Sequence, residues 1–302
     1  MKKLIMVNNY KDYDIYYFPN LTNASIQTNR SRLKLYKKNR IQQNISSLNK
    51  LVDIPQKNSI IFVGYKDRPF YPKEKLNKVM EHLSADQYKK YKYIIITSIN
   101  DVGLKPEDLN FIPDNVLEIY TPNVSYIHDK IKTLPLGLSF RMCEFYDKMN
   151  ITNEDRPILC YSNFSIDTHA DRQKTYNYIK NKDFITFQHM GKWLNYSISG
   201  NQYIEKLNKS KFVICPRGNG LDTFRFYEAL YCGAIPILPK ENHLHDRFNN
   251  LPILFLDKTE DYAKLTKEYL EDKYIELSKL KKDYYQELDL DEFFKTLFDK
   301  LS

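Results

Sequence analysis

Lys211-Phe-Val-Ile-Cys-Pro-Arg-Gly-Asn-Gly-Leu-Asp-Thr-Phe-Arg-Phe-Tyr-Glu-Ala-Leu-Tyr-Cys-Gly-Ala-Ile-Pro-Ile-Leu238 contains a complete strand, glycine loop, helix and second strand. Phe212 to Cys215 is an apolar run of strand length, and Pro216 closes it ahead of a loop holding Gly218 and Gly220. Asp222 or Thr223 is the natural N-cap of the helix that follows. Phe226, Tyr227, Leu230 and Tyr231 recur at helical spacing, Gly233 supplies the stop, and Ile235 to Leu238 begins another buried strand. A helix fed by a glycine loop presents free backbone N–H groups and the positive end of its dipole, which suits a phosphate.

The charges on this unit sharpen that reading. Arg217 lies in the loop, and Arg225 and Glu228, three apart, point from one helix face. An arginine grips a diphosphate through paired N–H donors, and a carboxylate accepts hydrogen bonds from both hydroxyls of a ribose. The plainer alternative is a surface ion pair between Arg225 and Glu228, worth roughly 0.2–0.5 kcal/mol. A third charge beside a glycine loop favours the ligand site.

The segment from Tyr203 to Pro239 resembles the donor-binding motif of exostosin-like glycosyltransferases over a long run of positions. The resemblance thins to Thr133-Leu-Pro-Leu-Gly137 and to Leu159-Cys-Tyr-Ser-Asn-Phe-Ser165 with Arg172 after it, and residues 1–120 carry none of it. It implies a GT-B fold, in which two Rossmann-like domains face each other across a cleft and the C-terminal one holds the nucleotide sugar. It implies metal-independent transfer with inversion, and no cofactor. Carried over by position, Glu228 binds the ribose and Arg217 and Arg225 the diphosphate, beside the backbone of Gly218, Asn219 and Gly220, with Asp222 and Thr223 at the helix start. Phe224 departs from the pattern, since relatives often carry histidine there.

Outside the motif, apolar runs alternate with helical segments. Ile60 to Val63, Tyr93 to Thr97 and Leu117 to Tyr120 form one strand series, with helices near Lys73–Leu83 and Pro106–Asn110. Ile158 to Tyr161, Phe184 to Gln188, Phe212 to Cys215, Ile235 to Leu238 and Ile253 to Leu256 form a second, with helices at Asp171–Lys182, Gln202–Asn208 and Asp222–Cys232. Such alternation predicts α/β domains on parallel sheets. The polar stretch from Phe140 to Pro157 marks the boundary, giving an acceptor-side domain over 1–150 and a nucleotide-sugar domain over 151–302. Past Thr259 the chain is charged with helical spacing and is expected to form terminal helices, which in GT-B proteins commonly cross back to the first domain.

The 302 residues suffice for two cores, and 42% hydrophobic with 14% aromatic content excludes a disordered chain. No apolar run approaches the roughly 20 residues of a membrane span. Leu4 to Val7 is too short for a signal-peptide core, so a cytoplasmic location is expected. Cys143, Cys160, Cys215 and Cys232 lack paired spacing and are expected as reduced core thiols. Much of the net charge of +8 lies in the first fifty residues, including Lys2, Lys3, Lys11, Arg30, Arg32, Lys34, Lys37, Lys38 and Arg40. A solvated face is the first reading of this segment; docking to a membrane surface or an anionic acceptor is the functional one. Tyrosine is too abundant throughout for Tyr16, Tyr17 and Tyr36 to signal base stacking, and nucleic acid is not an expected partner.

Catalytic groups are sought in loops at the carboxyl ends of the strands. An inverting transfer needs a base for the acceptor hydroxyl, and Asp67, Asp101 and His128, with Asp129 beside the last, qualify by position. For each, a loop cap or a surface charge is the plainer role. In the second domain Ser165 and Arg172 are placed to approach the pyrophosphate, Arg172 being otherwise an ordinary residue at a helix start. A metal-dependent enzyme would present an Asp-x-Asp pair to the diphosphate. Asp12-Tyr-Asp14 precedes any nucleotide-binding unit, Asp289-Leu-Asp291 falls in the acidic tail, and His243 and His245 with Asp246 would hold a metal only if more ligands converged from elsewhere, so no metal is expected. The leading reading is a glycosyltransferase moving sugar from a nucleotide diphosphate, UDP by family tilt with GDP open, to a glycan or glycoconjugate. The alternative is a non-catalytic carbohydrate- or nucleotide-binding module of the same fold.

Overall fold

The structure is a computed structural model, and it describes residues 15–18, 56–63, 73–97, 101–137, 155–188, 198–241, 244–280 and 290–302. The chain divides into two compact units, Met1–Pro135 with Leu288–Ser302, and Leu136–Glu287. Each is an α/β unit on a five-stranded, all-parallel sheet, as the alternating pattern predicts.

In the first unit the strands β1 (Ile15–Phe18), β2 (Ser59–Val63), β3 (Tyr93–Thr97), β4 (Val116–Thr121) and β5 (Ile131–Thr133) lie side by side in chain order. All five residues of β3, Tyr-Ile-Ile-Ile-Thr, are buried, as expected of a parallel strand covered on both faces. Helix α1 (Lys73–Leu83) buries Leu76, Val79, Met80 and Leu83, a stripe at i, i+3, i+4 and i+7, against Ile61, Ile95 and Ile119. Each such side chain contributes about 1.5–3 kcal/mol on burial. Strands β1 and β5 escape the sequence reading, because Ile15–Phe18 follows a charged, tyrosine-rich stretch and Ile131-Lys-Thr has a single apolar residue. The expected helix at Pro106–Asn110 is a single 3-10 turn, Pro106–Asp108.

The last helix, counted below as α6 (Leu290–Leu301), belongs to this first unit. Leu297 and Leu301 are buried, Lys300 Nζ lies 2.7 Å from Glu118 Oε2 on β4, and Asn58 Nδ2 donates to the Leu301 carbonyl at 2.7 Å. The partition at 150/151 assigns these residues to the second domain by position along the chain, while the resemblance implies that such helices cross back to the first.

The second unit holds β6 (Ile158–Ser162), β7 (Ile185–Phe187), β8 (Ser210–Ile214), β9 (Ile235–Pro239) and β10 (Leu254–Leu256), ordered β7-β6-β8-β9-β10. Numbered within the unit, this is 2-1-3-4-5, one of the two common doubly wound orders, and its direction of winding reverses between β6 and β8. Helices α2 (Ala170–Ile179), α3 (Gly200–Asn208), α4 (Phe224–Tyr231) and α5 (Lys267–Leu277) complete it. Side-chain alternation along the strands sends Cys160, Phe212 and Ile214 into one core with Ile179, Leu270 and Leu277, which lie on α2 and α5. Ser199 and Gln202 form a capping box at the start of α3, and the Thr266 hydroxyl caps α5.

Helix α4 ends as the glycine predicts. Gly233 takes a φ of 71°, its N–H donates to Leu230 O at 2.8 Å, and Ala234 N–H donates to Ala229 O at 2.9 Å. This is the paired Schellman pattern, in which a left-handed residue turns the chain out of the helix and into β9.

Candidate functional site

The carboxyl ends of β6 and β8 flank the reversal of winding, and the glycine loop and α4 leave β8 at that point. A crevice opens at such a reversal because the connections depart to opposite faces of the sheet. Three side-chain systems meet around it.

The first organises the start of α4. Thr223 is the N-cap residue by backbone conformation, yet its side chain makes no capping hydrogen bond, and Thr223 Oγ1 is buried without a hydrogen-bond partner. Asp222, 5% exposed, accepts from Thr223 N at 2.9 Å, from Tyr227 OH at 2.7 Å and from Leu136 N at 3.0 Å. Asp222 therefore braces the loop and fastens Leu136, the first residue of this unit, to the start of α4 across 86 residues. Its carboxylate is engaged by Thr223 N, Tyr227 OH and Leu136 N.

The second system surrounds Arg225 and Glu228. Glu228 is buried, and its Oε2 accepts a 2.8 Å hydrogen bond from Tyr203 OH on α3. The Arg225 guanidinium lies 5.8 Å from the centre of the Tyr203 ring, over its face, and its Nη2 donates to Asn163 Oδ1 at 3.4 Å. Asn163 Nδ2 donates to Tyr161 OH at 2.9 Å, and Tyr161 OH donates to Gln188 Oε1 at 2.9 Å, so a polar chain runs back from Arg225 along the end of β6. Arg225 Nε and Ser162 Oγ are buried without partners. The surface ion pair weighed from the sequence is thereby set aside, since Glu228 lies in the interior and its partner groups are fixed. Burial lowers the Arg225 pKa, but the neighbouring Tyr203 and Glu228 outweigh it and raise it on balance.

The third system comes from the other face. Arg172, at the start of α2, donates from Nε to Arg217 O at 2.8 Å and from Nη1 to Ser165 O at 3.3 Å. Its Nη2 would lie 3.1 Å from a Cβ at Gly218, so the absence of a side chain there lets the guanidinium rest on the loop. Arg217 folds over the same loop, donating to Gly218 O at 3.4 Å and Asn219 O at 3.3 Å, while Gly218 N donates to Gly220 O at 3.0 Å. Burial and then the charge of Arg225 push the Arg172 pKa down to about 9. Two guanidinium groups that repel one another in a crevice are relieved by an anion between them. Of the two roles weighed for Arg172, an ordinary exposed helix-start residue does not fit this half-buried side chain.

The expected donor-pocket residues thus gather in one unit, at one end of its sheet. Tyr203, Tyr161 and Gln188 read as core or surface side chains in the sequence, and the strand order brings them to the site. The three candidate bases fall in the first unit. Asp67 lies outside the described residues, as do Asp12, Asp14, Asp289, His243 and most of the basic N-terminal segment. Asp101 is exposed in the loop after β3. His128 is engaged at the entry to β5, where Nδ1 accepts from Lys130 N at 3.0 Å and Ile131 N at 3.1 Å, and with Asp129 it borders an open cleft of about 390 Å³. His245 is buried against Phe226 and Phe255, its Nδ1 accepting from Glu241 N at 3.1 Å, which is a core role. No group of three metal-ligating side chains occurs among the described residues, and no helix there is long and apolar enough to cross a membrane.

A doubly wound unit that collects guanidinium groups, a buried carboxylate and unfilled hydroxyls at its reversal point carries the kinds of group that suit an anionic, hydroxyl-bearing ligand. Residues 140–261, which include every strand of the second sheet, match the family model of the RXYLT1 C-terminal domain, an exostosin-like family, in agreement with the motif in the sequence. An Arabidopsis thaliana protein named as a probable glycosyltransferase is 34% identical over 65 residues, 22% of this chain; the match spans 12% of that relative's length. Among solved structures, an alpha1,3-fucosyltransferase is 14% identical with a TM-score of 0.45, over 80% of this chain and 78% of its own. A UDP-forming trehalose-phosphate synthase from Burkholderia vietnamiensis is 10% identical at a TM-score of 0.44, over 82% and 72%. The pneumococcal O-GlcNAc transferase GtfA is 12% identical at 0.42, over 81% and 57%.

Proposed function

We propose that the chain is a glycosyltransferase that takes its sugar from a nucleotide-diphosphate donor, UDP-linked, and passes it to a hydroxyl of a glycan or glycoconjugate. The observation that carries this reading is the set of buried polar atoms left without partners at the reversal of winding, Ser162 Oγ, Thr223 Oγ1 and Arg225 Nε. Unfilled buried donors and acceptors cost about 1–3 kcal/mol each, and a ligand bearing phosphate and hydroxyl groups removes that cost. In this reading Glu228 accepts from the ribose, and Arg172, Arg217 and Arg225 neutralise the diphosphate as it departs.

Three guanidinium groups supply the positive charge that a divalent ion provides in metal-dependent transferases, so the proposed transfer proceeds without a metal. Attack by the acceptor hydroxyl on the anomeric carbon breaks the bond to the diphosphate and inverts that carbon. The hydroxyl proton passes to a carboxylate or imidazole of the first unit, with Asp101, Asp67 and His128 as the candidates. Binding energy from the nucleotide holds the sugar in place for that attack.

Binding of UDP and GDP by calorimetry, followed by sugar-nucleotide turnover against a panel of glycan acceptors, tests the proposal. Glu228→Ala and Arg217→Ala are each expected to weaken nucleotide binding at least tenfold, corresponding to about 1.4 kcal/mol. Binding without turnover on any acceptor would favour the non-catalytic module, and no binding of either nucleotide would refute the site itself.

A further inference from the structure

Tyr203 lies in the first turns of α3, outside the glycine loop and α4, yet it touches both of α4's charged side chains. Its hydroxyl donates to Glu228 Oε2 at 2.8 Å and its ring face carries the Arg225 guanidinium at 5.8 Å. The side chain is 9% exposed, and the capping box of Ser199 and Gln202 fixes the helix turn that supplies it. A glutamate side chain turns broadly about its last torsion, so a carboxylate alone in a cavity offers its oxygens in many directions. A hydrogen bond from a rigid aromatic hydroxyl removes that freedom and leaves the carboxylate plane set in one orientation.

We propose that Tyr203 is a specificity-determining positioning residue, which orients Glu228 so that the site selects ribonucleotide over deoxyribonucleotide diphosphates. The proposal rests on the reading of Glu228 as the ribose acceptor. A pair of vicinal ribose hydroxyls reaches a carboxylate in a narrow range of geometries, and a fixed carboxylate rewards only a ligand that presents both. Burial, followed by the charge of Glu228, holds the Tyr203 pKa well above its ordinary value, so the phenol stays a donor across the working pH range. The ring has a separate duty toward Arg225, and the two duties separate by mutation.

The experiment measures Kd for UDP and for 2′-deoxy-UDP, with GDP and 2′-deoxy-GDP as a second pair, on the full chain by calorimetry. Wild type is expected to prefer the ribonucleotide by at least tenfold. Tyr203→Phe keeps the ring and deletes the donor, so the preference falls to about threefold or less while deoxynucleotide affinity is retained. Tyr203→Leu also removes the ring and weakens both nucleotides together through Arg225. In a Glu228→Ala background, Tyr203→Phe adds no further change in the preference, so the loss seen with Glu228 present runs through that carboxylate, whereas a merely structural tyrosine would weaken both nucleotides alike and leave the preference unaltered in either background. An undiminished preference in folded Tyr203→Phe overturns the inference while leaving the nucleotide site standing; absence of binding by wild type overturns the site and the inference with it. Should Tyr203→Phe not fold, 3-fluorotyrosine installed at position 203 keeps the packing and strengthens the donor. The preference then rises, and an unchanged value overturns the inference.

Discussion

Replacing Arg156 by methionine tests how the second unit holds α4 in place. Arg156 is 3% exposed, and its Nη1 donates to Ser210 O at 2.8 Å and more weakly to Leu207 O at 3.4 Å, while Nη2 donates to Cys232 O at 2.7 Å. Those carbonyls lie near the end of α3, at the start of β8 and at the C-cap of α4. Helix C-termini leave carbonyls unpaired and carry partial negative charge, so one buried cation satisfies both ends together. Hydrogen bonds from a charged donor are each worth about 1.5–3 kcal/mol, and two of the three are short. Arg156→Met, similar in length and without donors, is therefore expected to cost about 3–5 kcal/mol. For a unit of this size that lowers the melting temperature by on the order of 10 °C. Arg156→Lys keeps the charge but not the planar fork, and is expected to lose about half as much. Urea unfolding followed by far-ultraviolet circular dichroism measures both. A loss below about 1 kcal/mol in Arg156→Met would refute the claim that this guanidinium ties the two helix ends together.

Two further perturbations probe neighbouring features. Gly218→Ala places a Cβ 3.1 Å from Arg172 Nη2, and the guanidinium, held at Arg217 O, must shift by a few tenths of an ångström. Loss of about one hydrogen bond's worth, roughly 1 kcal/mol, is expected in nucleotide affinity with little change in melting temperature; calorimetry showing unchanged affinity would count against the contact. His245 provides a pH test. Burial and then Lys240 push its pKa down to about 4 from 6.5, so protonation favours the unfolded chain. Its contribution, on the order of 3 kcal/mol, is complete above pH 6.5 and is lost as the pH falls toward 4. His245→Phe is expected to flatten the stability profile over that range, and an unaltered slope would exclude His245 as its source.

The legibility of the fold followed the length scale of the interactions. Buried parallel strands announce themselves as apolar runs, so β3 and β8 stood out, and α1 was bounded within Lys73–Leu83 by its stripe of Leu76, Val79, Met80 and Leu83. The end of α4 was legible because only a residue comfortable at positive φ makes that turn, and Gly233 is the residue there. Asp222 shows where such reading stops. Its spacing suits a cap, while its actual partners include Leu136 N, which no local rule connects to it. Arg156 likewise reads as the end of a polar boundary segment and is a buried clamp on Cys232, 76 residues on.

By itself the sequence determined the alternating α/β architecture, the glycine loop feeding α4, and the placing of Arg225 and Glu228 on one helix face, because these depend on chain stiffness, periodicity and short-range sterics. Only the tertiary structure decided that β6 lies beside β8 in a 2-1-3-4-5 sheet. Strand order depends on how the crossovers pack, which no single segment encodes. That order brings Asn163 to Arg225 across 62 residues, and α3 packing onto the same region sets Tyr203 against Glu228. The glycine loop is thereby joined by side chains from three further elements.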